Sequence, residues 1–408
     1  MPTFREIVFE FLAWLIVAVF CAVAGLAIWL WDRASGRRLL ASPRYQTKPW
    51  TDSEMVATFC LMLAVLVLMA LISLLVKACL DQFGFFSWLY GPEFTSIVEK
   101  PSQGNELERN RYTYWLTIWT VPLQIGGILL LLRLGNFTCR LAEGARFPPM
   151  GFSVHRPLEN FALACLMWLA ITPVVFGVNF VVNVSYFLLT NSPPESHPLT
   201  QLAQGGTSLM DGVLLGLLAL VLAPILEEFT FRGLLQPWLC QRHWGGHVGM
   251  ALAFLVALGP AKSWFDEHAR SGLRALALKF GPIIFLLVML PGYFYAERLL
   301  RRWIADGNVA RGIYATALLF GMVHALVAWP TAIPLFFLGL GLGFLAYRTQ
   351  SLLGPIIFHS LFNAVACITL LVFQVDLDPQ KGSEATSAGT RPASAATSTR
   401  VPTAWQPR

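Results

Sequence analysis

Residues 213–232 read VLLGLLALVLAPILEEFTFR. From Val213 to Leu226 no residue is charged and only Pro224 disturbs the run. Two adjacent carboxylates, Glu227 and Glu228, then arrive without a turn signal. A carboxylate at the centre of a membrane helix costs roughly 2.5–3.5 kcal/mol on insertion scales. Such a pair needs partners. Arg232 lies four residues after Glu228, and positions i and i+4 share a helix face. A Glu228–Arg232 ion pair is therefore expected. Glu227 is rotated by about 100° from its neighbour and lacks that partner. It reads as the carboxylate left free to act as a general base. Pro224 should kink the helix just before the pair. The plainer alternative is that the helix ends here and both glutamates are interfacial.

The rest of the chain supports a bilayer as solvent. It has 408 residues, 56% of them hydrophobic and 13% charged, with a mean hydropathy of +0.60. A soluble domain carries about 25% charged residues, and half of that leaves too little polar surface for a water-soluble globule. The net charge of +6 fits basic cytoplasmic loops better than nucleic-acid binding. The cysteines, seven in number, are scattered without a CxxC spacing, so a disulfide framework or a zinc cluster of cysteines is not expected.

The fold class expected is all-α: a polytopic transmembrane helix bundle of about eight to ten spans, each needing roughly 20 apolar residues. The spans read as Phe11–Trp31, Met55–Val76, Tyr112–Leu132, Phe161–Leu189 with Pro173 inside, and a fifth from Gly212 through the Glu pair. His247–Leu258, Phe280–Ala296, Gly312–Trp329, Ile333–Tyr347 and Leu352–Val375 follow. His247–Leu258 and Ile333–Tyr347 are short enough for one of them to be re-entrant. Basic residues after the first, third and seventh spans, such as Arg37, Arg140 and Arg301, place those loops in the cytoplasm and the N-terminus outside. The loop with Lys262, Arg270, Arg274 and Lys279 breaks that alternation. Three regions result: an N-terminal membrane region over 1–190, a core over 191–375, and a tail over 376–408. The tail is rich in Ser, Thr, Ala and Pro and is expected to be disordered.

Two further helices offer polar groups. His324 follows Phe320 by four residues, and Asn363 follows His359 by four. Buried polar groups at membrane depth must find partners, and each other is the obvious choice. A Glu and a His can activate a water molecule between them. A second His and an Asn can hydrogen-bond the oxyanion of a tetrahedral intermediate. Glu and His are also metal ligands, and a zinc-bound water would serve the same end. Competing motifs are absent, since no HExxH, GxSxG or P-loop occurs. Asp266-Glu267-His268 sits in a polar loop and reads as a solvated turn.

Glu227-Glu228-x-x-x-Arg232, Phe320-x-x-x-His324 and His359-x-x-x-Asn363, in this order on separate apolar helices, resemble the CPBP family of intramembrane proteases. That family includes the type II CAAX prenyl endopeptidases, the Rce1-like proteins, and bacterial proteins linked to bacteriocin self-immunity. The resemblance covers about Gly212–Val375. It implies that Glu227 activates water together with His324, that Glu228 pairs with Arg232 to hold the helix, that His359 and Asn363 stabilise the oxyanion, and that Phe320 packs beside the site. The chain departs from the pattern in its long stretch from Gly233 to Leu319.

An intramembrane endopeptidase acting on a membrane-associated, prenylated-type protein or peptide is the function this implies. Glu227, His324 and His359 are the ligands expected if a divalent metal such as zinc is bound, and a metal-free reaction is equally open. Partners are the lipid bilayer and the substrate, with no nucleic acid. The location expected is the plasma (inner) membrane, multi-pass. Two other readings use the same residues. A proton-coupled transporter would relay protons through the buried Glu and His, but it should show repeated halves, and none is visible. A non-catalytic scaffold or immunity protein would bind a partner through the same cavity, although every motif residue is present.

Overall fold

The computed structural model of the chain describes residues 52–84, 157–190, 215–258, 280–300, 306–326 and 329–375, with single positions at 19, 23, 88, 127, 213 and 304. The expected spans Phe11–Trp31 and Tyr112–Leu132 lie outside the described residues apart from those single positions. So do the polar segment Ala261–Lys279 and the tail Asp376–Arg408.

All regular structure among the described residues is helical. The elements are α1 (Asp52–Gln82), α2 (Pro157–Thr190), α3 (Ala223–Glu228), α4 (Gln236–Cys240), α5 (Gly245–Leu258), α6 (Gly281–Leu300), α7 (Gly307–Ala325), α8 (Ala332–Thr349) and α9 (Leu353–Val375). Two π-helical turns, Leu218–Leu222 and Phe229–Leu235, flank α3. Helical backbone therefore runs unbroken from residue 215 to residue 240. The Glu pair lies inside a helix and not at its end.

Four of these helices are long and apolar enough to cross a membrane: α1, α2, α6 and α8. The outer faces of α1, α2 and α6 are greasy, with Leu75, Leu188, Val288 and Phe294 all more than half exposed. Water would not tolerate such a surface, whereas lipid does. The protein is an integral, multi-pass membrane protein of the all-α class.

In lipid, acyl chains are as apolar as leucine, so helices associate through close packing and polar contacts. α7 shows this at the centre of the bundle. It packs on α5, α6 and α8, and Leu318, Phe320 and Met322 are fully buried. Its start is fixed by Asp306, whose Oδ1 accepts a 2.8 Å hydrogen bond from the Asn308 N–H. Small residues let α8 approach. A Cβ on Gly339 would stand 3.1 Å from the Ala317 Cα and Cβ. α2 lies across α8 and α9. α1 meets the Phe229–Leu235 π turn and α4, with Met62 and Val65 buried in one cluster with Phe229, Leu234 and Trp238. A polar clasp closes that contact. Asp52 Oδ1 accepts from the Trp238 indole N–H at 2.8 Å and from Arg242 at 2.5 Å.

Candidate active site

Two prolines mark the helical segments around the two glutamates. Proline lacks an N–H and crowds the carbonyl four residues back. Both Pro224 and Pro237 sit at the first turn of an α segment that follows a π turn. A π turn immediately precedes Pro224, where the kink is expected. The Ala223 N–H bonds to the Leu218 carbonyl, and the Gln236 N–H to the Phe231 carbonyl, each five residues back. Turns of this kind re-aim side chains and recur at functional sites.

Glu228 is fully buried, and its Oε1 accepts from Arg232 Nη1 at 3.0 Å, the ion pair expected from the spacing. The same oxygen lies 2.8 Å from His359 Nδ1. Arg232 is also held by the Gly339 carbonyl at 3.2 Å and lies 4.5 Å above the Phe320 ring. That ring packs on His324 at 4.6 Å between centroids and meets His359 edge-on at 5.9 Å. Phe320 thus forms the apolar floor under the guanidinium and both imidazoles. It keeps water from Arg232, and a desolvated cation over an aromatic face gains roughly 2 kcal/mol.

Glu227 points elsewhere. Its Oε2 lies 3.6 Å from His324 Nε2 and 3.8 Å from His359 Nε2. That oxygen is buried and makes no hydrogen bond within the protein. The tautomers follow from the other ring nitrogens. His324 Nδ1 is 2.8 Å from the Phe320 carbonyl, which can only accept, so Nδ1 carries the proton. His359 Nδ1 faces the Glu228 carboxylate, which also accepts. In the neutral rings both Nε2 atoms are therefore acceptors aimed at Glu227.

Asn363 is placed differently from the other motif residues. Its Nδ2 donates at 2.8 Å to the Ala219 carbonyl, in the π turn before Pro224. The structure thus brings Glu227, Glu228, Arg232, Phe320, His324 and His359 into one cluster, with Asn363 one turn further along α9.

Glu227, His324 and His359 were the expected metal ligands. Atoms bound to a tetrahedral zinc at 2.0–2.2 Å lie about 3.3–3.6 Å from one another. Neither nitrogen is closer to Glu227 Oε2 than the upper end of that range. No trio of His, Cys, Asp or Glu among the described residues is gathered as metal ligands would be. As placed, the His324–Glu227 separation reaches the upper end of that range and the His359–Glu227 separation lies just beyond it.

Residues 209–302 and 292–365 match the family described as type II CAAX prenyl endopeptidase, Rce1-like. Residues 209–365 of this chain are therefore similar to that family. No curated protein and no solved structure matches the chain. The matched region takes in every residue of the cluster, while α1 and α2 lie outside it.

Sequence reasoning missed how this region is tied together. Gln236 Nε2 donates to the Gly343 carbonyl at 2.9 Å, one turn beyond the Arg232 contact with Gly339. Glu228, Arg232 and Gln236 recur every four residues, as do Gly339 and Gly343. That matched spacing was the available signal. His247 packs on Tyr293, whose hydroxyl lies 3.0 Å from its Nδ1.

Proposed function

We propose that this protein hydrolyses a peptide bond of a membrane-associated, CAAX-type substrate, with Glu227 as the general base. One observation carries this reading. Glu227 Oε2 is a buried carboxylate oxygen without a hydrogen bond, facing the Nε2 atoms of two histidines. Its neighbour Glu228 is neutralised by Arg232, so the two carboxylates differ in availability.

At 3.6 Å, Glu227 Oε2 and His324 Nε2 are too far apart for a good direct hydrogen bond. One water can donate to both. Its oxygen then has a free lone pair for the scissile carbonyl. As the C–O bond forms, the water proton passes to Glu227 and the carbonyl electrons move onto oxygen. His359, held by Glu228 through Nδ1, offers Nε2–H to that oxyanion when its ring is protonated. When the intermediate collapses, the C–N bond breaks and Glu227 returns the proton to the leaving amine. The acyl product leaves as a carboxylic acid, whose proton passes to the released amine to give carboxylate and ammonium, and the site is restored. General acid–base catalysis of this kind contributes about 10²–10⁴-fold, and each well-placed oxyanion donor about 10²–10³-fold.

The test is cleavage of a prenylated CAAX-type peptide by purified protein in detergent, beside Glu227→Gln. Trapping of bound peptide by that variant, read by mass spectrometry, identifies the substrate. Turnover by Glu227→Gln at the wild-type rate would overturn the reading.

A further inference from the structure

The π turn at Leu218–Leu222 leaves one backbone group to be accounted for. Within it the Ala223 N–H bonds to the Leu218 carbonyl. The next bond in the same register would run from residue 224 to the Ala219 carbonyl. Residue 224 is proline and has no N–H to give. At membrane depth a carbonyl left this way is costly, because no bulk water reaches it. Asn363 Nδ2 stands 2.8 Å from that carbonyl oxygen.

We infer that Asn363 is a positioning residue: its side-chain amide supplies the hydrogen bond that Pro224 cannot, and so holds the π turn that aims Glu227. The geometry around it is consistent. One turn before Asn363, His359 binds Glu228. α9 therefore grips the Glu-bearing helix at two points, the Ala219 carbonyl before the proline and the Glu228 carboxylate after it. A π turn adds one residue to the helical repeat, and each residue turns the helix by about 100°. If the turn relaxed, everything beyond it would change direction. Glu227 would leave His324. Asn363 acts on the reaction through Glu227, by fixing the helix phase, and not by touching the reacting carbonyl.

The inference rests on Glu227 being the base, and the experiment separates the two. The full-length protein in detergent is compared as Asn363→Ala, Pro224→Ala and the double variant. Cleavage kinetics and thermal midpoint are read for each, with Glu227→Gln as control. Pro224→Ala puts an N–H back where the asparagine now donates. It should keep activity within about threefold, because the restored bond replaces like with like. Asn363→Ala alone should lower kcat by about 100-fold, as a misplaced catalytic group does, with KM little changed and the midpoint down by several degrees. In the Pro224→Ala background the same substitution should cost almost nothing in either measure. This coupling is what a shared hydrogen bond requires.

Equal losses from Asn363→Ala in both backgrounds would overturn the inference. So would a loss of kcat in both with the midpoint unchanged, which marks Asn363 as an oxyanion donor. Loss of activity in Pro224→Ala alone, or recovery of the midpoint without the rate, would also overturn it. If Asn363→Ala does not fold alone, folding of the double variant is itself the rescue, and its absence is the refutation. Should Glu227→Gln prove active, the thermal midpoints alone still judge whether Asn363 replaces the missing N–H.

Discussion

His359 Nδ1 and Arg232 Nη1 bind the same carboxylate oxygen of Glu228, at 2.8 and 3.0 Å. One buried atom thus anchors both a charge pair and an imidazole whose far nitrogen faces Glu227. The carboxylate paired with Arg232 thus sets the orientation of an imidazole that also faces the unpaired oxygen of Glu227.

Arg232→Met should therefore be worse for stability than its place in the sequence would indicate. It strands Glu228, fully buried, and breaking a buried pair costs about 3–5 kcal/mol. Replacing both residues, as Glu228→Met with Arg232→Met, should recover much of that loss, because no uncompensated charge remains. Cleavage should stay abolished in the double variant, since His359 has lost its Nδ1 partner. Thermal unfolding in detergent and peptide turnover measure the two effects separately.

Glu227→Gln should behave in the opposite way. Glu227 Oε2 makes no hydrogen bond within the protein, and its side chain is 27% exposed. The substitution should leave the thermal midpoint unchanged while lowering kcat by about 10²–10⁴-fold. A fall in both would mean that Glu227 is structural.

Gly321→Ala should loosen the site without touching it. A Cβ there would stand 2.6 Å from the Ala332 carbonyl oxygen at the start of α8. The backbone must move to admit it, at a cost of about 1–3 kcal/mol. Because α8 holds Arg232 through Gly339, kcat should fall along with the midpoint. Gly216→Ala is the control, since nothing lies within 4 Å of a Cβ there.

Chelation tests the chemistry of water activation. The nitrogens of His324 and His359 lie 3.6 and 3.8 Å from Glu227 Oε2. A chelator should leave the rate of purified protein within about twofold, a change of well under 1 kcal/mol in the barrier. Loss of activity restored by zinc would mean that the side chains close around an ion.

Much of this was legible in sequence. Charge inside an apolar run is rare enough to announce itself, and the four-residue step from Glu228 to Arg232 predicted their pairing. The helices after residue 215 fall close to their expected bounds, with α7 beginning five residues before Gly312. What the sequence hid was phase. Pro224 signalled a kink, but neither the π turn before it nor the group that meets the Ala219 carbonyl has a local signature. That partner, Asn363, lies 144 residues away from Ala219. Spacing alone gave no sign of the Asn363 contact with the Ala219 backbone. The glycine carbonyls that hold Arg232 and Gln236 were hidden for a related reason, since a carbonyl acceptor leaves no side-chain signature.

The clasp of Asp52 with Trp238 and Arg242 has a practical meaning for anyone who would cut the chain to its family match. A fragment of residues 209–365 would keep the whole reacting cluster and lose α1. The Trp238 indole would then have no acceptor from Asp52. The surface that Met62 and Val65 cover would open beside the very helix that carries Glu227. Recognisable ancestry and mechanical self-sufficiency have different borders in this molecule.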